Sequence, residues 1–128
     1  MAVLEIDLRA RRIDDVRTEH DVTLVLSGGA VVRIECPFDL TESPVTSTTI
    51  DPENLGADRQ FELTLRGKVI DAATADEESG SLSIGFLGGL ALTVPSDSRF
   101  EAWAARWEDG SMVIALPGGG LSSWGARR

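Results

Sequence analysis

The side chains best suited to chemistry gather in one stretch, "RFEAWAARWEDGSMVIALPGGGLSSWG", residues 99–125. It carries all three tryptophans, Trp103, Trp107 and Trp124, and one carboxylate, Glu101, next to Phe100. A carboxyl desolvated among aromatic rings has a raised pKa and is a candidate general acid. The competing reading turns Glu101 to solvent, or pairs it with Arg99 or Arg106 across a pleat, and it carries more weight. Pro117 and the glycines Gly118, Gly119 and Gly120 offer backbone N–H groups to an anion. A phosphate loop, however, leads into a helix whose N-terminus adds positive potential. "LSSWG" is too short for that helix, so a turn or strand-end bulge is the better reading. Glu101, Trp103, Trp107 and Trp124 are therefore candidate binding residues, and no catalytic residue is assigned. Trp124 is expected to pack back onto the core; exposed tryptophans would mark an interface instead.

Elsewhere the chemistry is thin. A zinc site needs three or four His, Cys or carboxylate ligands, and the chain has one histidine, His20, and one cysteine, Cys36. "DEESGS" at residues 76–81 is acidic but lacks the alternating ligands of a calcium loop, and reads as a solvated turn. Cys36 precedes a proline and His20 sits in the polar phrase "TEHD", so nothing local activates either as a nucleophile–base pair. The sequence contains no G-x-S-x-G, Walker or Rossmann motif. No metal and no cofactor is expected.

The elements that position these residues read as strands. Val22, Leu24 and Leu26 alternate with polar or smaller neighbours, "SGG" follows, and then "AVVRI". Leu82, Ile84 and Phe86 alternate in the same way, Gly88-Gly89 follows, and then Leu90, Leu92 and Val94. Glycine pairs supply the positive φ of tight hairpin turns. Each hairpin is preceded by a similar phrase, "LRARRIDDV" and "LRGKVIDAA", which aligns Leu8 with Leu65, Ile13 with Ile70 and Ile34 with Val94. An internal duplication of a three-stranded meander follows, over residues 3–36 and 65–95. Between the copies, residues 37–64 read as a Pro-, Ser- and Thr-rich surface loop to Thr49 and then a short helix. Asp51 would be its N-cap and Pro52 its first residue, with Leu55, Phe61 and Leu65 facing the core. Residues 96–125 form a C-terminal hairpin and tail. "FEAWAARW" fits a helix by its i, i+3, i+4, i+7 apolar stripe and a strand by its period-2 face. The core set is Ile13, Leu24, Leu26, Val32, Ile34, Ile70, Leu82, Ile84, Phe86, Leu92, Val94, Trp103, Ile114 and Leu116.

The chain has 128 residues, the size of one domain able to hold a core without disulfides. Twenty-one acids against twelve bases give a net charge of -9, which repels phosphate backbones and anionic membranes. Nucleic-acid and membrane partners are thus disfavoured, and a cationic protein partner is favoured. All the bases but Lys68 are arginine, as in a GC-rich bacterial source. The N-terminal stretch turns charged by Glu5 and is unlike a signal peptide, and "IGFLGGLALTV" is too short to span a bilayer. A cytoplasmic location is the expectation.

From Leu65 to Trp124 the chain resembles an uncharacterised family of small actinobacterial domains of unknown function. "GKVIDAATA", "LSIGFLGGLALTV", "FEAW" and "PGGGLSSW" carry the likeness. The resemblance implies a mostly β domain in which "FEAWAARW" continues as a strand, and it implies no activity. The expectation is a mainly β single domain, barrel- or sandwich-like, with two meanders, a C-terminal hairpin and one short helix. Its first functional reading is a non-enzymatic acidic interaction domain, immunity-protein-like in one concrete version. A small-molecule binding protein or minor enzyme with a pocket near Glu101 is the alternative, and a homodimer pairing exposed sheet edges is the third.

Overall fold

A computed structural model describes residues 3–43, 45–57 and 59–125, with Ser43 described by its backbone alone. In chain order it forms β1 (Val3–Glu5), β2 (Ile13–Arg17), β3 (Val22–Leu26), β4 (Val31–Ile34), β5 (Phe38–Ser43) and β6 (Thr46–Ile50). There follow α1 (Gln60–Leu65), β7 (Ile70–Asp76), β8 (Leu82–Phe86), β9 (Ala91–Val94), β10 (Trp103–Arg106), β11 (Met112–Ala115) and β12 (Leu121–Trp124). The strands make two six-stranded antiparallel sheets, ordered β1-β7-β8-β9-β5-β6 and β12-β11-β10-β4-β3-β2. Neither closes into a barrel. They form a sandwich-like domain around one core.

The two meanders are alike in three dimensions. Strands β2-β3-β4 and β7-β8-β9 are both antiparallel meanders, and both carry a register shift at the same place, between Ile13 and Asp15 and between Ile70 and Ala72. Their glycine turns match bond for bond: Leu26 N–H donates to Ala30 O at 2.8 Å, and Phe86 N–H to Leu90 O at 2.8 Å. Gly28, Gly29, Gly88 and Gly89 all have positive φ, which an L side chain resists. Between the meanders, Ile13 N–H donates to Lys68 O and Ile70 N–H to Arg11 O, at 2.9 and 2.8 Å. These reciprocal bonds flank an antiparallel bridge between Arg12 and Val69, so a pseudo-twofold axis passes there.

After each meander the chain crosses to the other sheet. β5 pairs with β9, Leu40 opposite Leu92, while β10 pairs with β4, Ala105 opposite Val32. The hairpins β5-β6 and β10-β11 are thus equivalent and exchanged between the halves. Ahead of each meander stand the equivalent leucines Leu8 and Leu65, both fully buried. β1 extends the first sheet beside β7, whereas α1 packs near β2. At the crossovers, the Cys36 thiol lies 3.5 Å from Pro37 O and 3.6 Å from Pro95 O.

Four expectations are corrected. Residues 38–50 are a β-hairpin, not a loop: Phe38 and Leu40 alternate inward, and the β-branched threonines of β6 suit a pleated, half-exposed edge. The helix starts at Gln60, not near Pro52. Asp51 closes a turn instead, its Oδ1 accepting from Glu53 N–H at 3.0 Å, and α1 has no side-chain N-cap bond. Phe61 and Leu65 do face the core, and Leu55 packs against it. Leu116 leaves the core, 36% exposed, because the strand ends at Ala115 and the chain turns. Trp124 is 53% exposed: it sits on the edge strand β12, with no further layer to cover it.

Candidate functional site

"FEAWAARW" forms β10 because pairing on both sides outweighs its helical stripe. Trp103 lies opposite Ile34 of β4, and Ala104 opposite Ile114 of β11. Trp103, Ala105 and Trp107 then share the inner face, each at most 1% exposed. The small Ala105 between them leaves room for two indoles. Each indole N–H reaches across to the other sheet's layer. Trp103 Nε1 donates to Gly80 O at 2.8 Å, and Trp107 Nε1 donates to Asp7 O at 2.7 Å. Both donors are satisfied, as buried polar groups require. These two side chains tie the layers together; truncating either to alanine costs about 3–5 kcal/mol.

Glu101 lies ahead of the strand and is exposed. Its neighbour Phe100 is 51% exposed, with the Arg99 guanidinium 5.5 Å from its ring centre, so no apolar enclosure surrounds the carboxylate. Trp124 stands on the outer strand β12, opposite Met112 of β11. The four candidate binding residues therefore separate into a buried pair, Trp103 and Trp107, and two exposed residues, Glu101 and Trp124. None of the four main surface cavities is lined by any of them.

The glycine run is a turn between β11 and β12. Gly118 N–H donates to Asp97 O at 2.8 Å and Gly119 N–H to Leu116 O at 3.1 Å, so these donors are already engaged. Asp97 also accepts from Arg99 N–H and Phe100 N–H through its carboxylate. The turn presses on the 76–81 turn of the other sheet: a Cβ at Gly80 would lie 2.8 Å from Gly120 O, and one at Gly119 3.0 Å from Glu78 O. Glycine is required there by backbone contact as well as by φ. Within the acidic turn, Ser79 and Glu78 N–H groups both donate to Asp76, which holds its carboxyl below the usual value. "DEESGS" is thus an Asx-type turn, as its composition indicated.

Cys36 is buried. Burial first, then the Asp97, Asp51 and Glu35 carboxylates, push its thiol up to about 11. A thiol so protonated is a poor nucleophile at neutral pH. His20 lies in the β2–β3 turn, exposed. Among the described residues, no group of three His, Cys, Asp or Glu side chains is arranged to hold a metal.

The surface feature that sequence reasoning missed is the β5-β6 hairpin together with α1. A groove of about 220 Å³ runs between them, with Leu40, Thr48 and Ile50 on one wall and Phe61 and Thr64 on the other. β6 contains no charged residue, yet residues 37–58 of the sequence hold five acids and no base, more than half of the net charge of -9. The signal was present: Phe38, Leu40 and the Thr-rich run alternate as a strand does, but Pro37 and Pro44 masked it.

The fold defines a sandwich-like, mainly β domain of two alike halves. The chain belongs to the Family of unknown function (DUF6188), whose profile matches residues 4–125, nearly the whole chain. No curated protein and no solved structure matches it.

Proposed function

We propose that this protein is a non-enzymatic, acidic cytoplasmic interaction domain that binds a cationic protein. The observation carrying this reading is the concentration of acid in the sequence segment 37–58, five carboxylates without a base, of which Asp39 and Glu42 stand on β5. Such a field raises the association rate with a basic partner and gives binding that weakens with salt. The immunity-protein-like version, in which the partner is a basic toxin, is the concrete form of the proposal. The alternative small-molecule reading loses support, because Trp103 and Trp107 are occupied with core packing and Glu101 faces solvent.

The test is affinity purification from native lysate, identification of the retained protein, and reconstitution of both purified chains. A stoichiometric complex with a basic protein is expected, its Kd rising at least about tenfold between low and physiological salt. A partner of neutral or acidic charge, or the lack of any stoichiometric partner, would sink the proposal.

A further inference from the structure

The pseudo-twofold makes β6 the equivalent of β11, because β5-β6 and β10-β11 are the exchanged hairpins. Leu40 corresponds to Ala105, so Thr48 corresponds to Val113 and Ser47 to Met112. The outer edge of β11 is filled: Leu121–Trp124 pairs there, Met112 opposite Trp124 and Ala115 opposite Leu121. The outer edge of β6 has no strand on it among the described residues, and β6 ends its sheet. Such an edge presents alternate N–H and C=O groups outward and is a template for another strand.

We infer that the open edge of β6 receives an extended, basic strand of a partner protein, antiparallel and in the register that β12 adopts on β11. This deepens the proposed function and rests on it for the partner's charge. The other edges suit such a strand less well. β1 is three residues long. β2 carries Asp14, Asp15 and Arg17, with Arg66 paired to Asp15 at 3.0 Å. β12 is four residues long, and residues 116–125 around it hold no acid to attract a basic segment. β6 is five residues long, uncharged, and flanked by Asp39, Glu42, Asp51 and Glu53. A second copy of this chain would bring those carboxylates against their own kind, so a basic partner fits and a homodimer does not.

The test uses the full chain, isotope-labelled for amide exchange, and two probes: Thr-Arg-Val-Arg-Val-Arg-Val-Arg-Thr and its counterpart with Glu for each Arg. The basic peptide is expected to slow exchange of amides in Thr46–Ile50 by at least about tenfold, and the acidic one to leave them unchanged. Thr49→Pro and Ser47→Lys should each weaken basic-peptide binding about tenfold or more, the first by removing an outward-facing donor at the position equivalent to Ile114 and the second by repulsion. If Thr49→Pro does not fold, Ser47→Lys carries the test. Protection at Leu121–Trp124 instead, equal binding by Ser47→Lys, equal binding of the basic peptide with its central Val replaced by Pro, or self-association through β6 would each overturn the inference. A purified cationic partner that binds Ser47→Lys as tightly as the parent leaves the function standing and removes the edge. Edge protection by the basic peptide, without any stoichiometric cationic partner, does the reverse.

Discussion

The residue with the most defined chemistry is Cys36, and its chemistry is inertness. Its pKa is raised from 9.0 to about 11, by burial and by nearby carboxylates. A raised folded-state pKa means that the unfolded chain loses its proton first. The thiol's contribution to stability is therefore fully present below pH 9 and is lost as pH climbs through about 11. Urea midpoints should fall across that window more steeply in the parent protein than in Cys36→Ala. At pH 8 a thiol reagent should label the native protein at the rate of unfolding rather than of free thiol reaction. An equal pH slope in Cys36→Ala would remove the assignment. The tryptophans teach a related lesson: Trp103 and Trp107 have the residue type of binding hot spots, but their ring N–H groups are spent on Gly80 and Asp7.

At the scale of elements, α1 shows how packing replaces propensity. Six residues form no stable helix alone, since nucleation costs more than one turn returns. α1 also lacks a side-chain cap. What holds it is Phe61 and Leu65, both buried, while Leu63 on the opposite side is 68% exposed. Leu65→Ala should destabilise the protein by about 2–5 kcal/mol. Leu63→Ala should stay within about 0.5 kcal/mol, both read from denaturant melts. Comparable losses would mean that α1 is held by something other than its core-facing side chains. The hairpin β5-β6 makes the complementary point. Its outer strand has little buried surface, and its fixed position comes from β5's pairing with β9.

The whole molecule is a pair of alike halves whose hairpins lie on each other's sheets. β5 completes the sheet of the second meander and β10 that of the first, so neither half owns a finished sheet. Fragments 1–58 and 59–128 should each lack a cooperative thermal transition by far-UV circular dichroism. Mixed in equal amounts, they should recover one, with a complex of the full chain's size in gel filtration. A fragment that melts cooperatively by itself would show that the exchange is not what joins the halves. The exchange also places β5, with its Asp39 and Glu42, on the opposite half's sheet.

Period-2 patterning and the two glycine pairs were enough to read the strands of the two meanders and most of the core, because alternation and positive φ are local constraints. The turn at Pro117–Gly120 and the solvated turn at 76–81 were legible for the same reason. Residues 38–50 were not, because a polar edge strand with prolines at its ends has the composition of a loop, and only a neighbour such as β9 makes it a strand. The Asp51-Pro52 cap signal was satisfied by a turn, and the helix formed where Phe61 and Leu65 could reach the core. Tertiary structure alone decided that two tryptophans are buried and one exposed. Burial depends on which strands have neighbours on both sides, and β10 is flanked where β12 is not. Local sequence sets which face of a strand is apolar; the crossing of the hairpins between sheets sets which faces and which edges are left open to a partner.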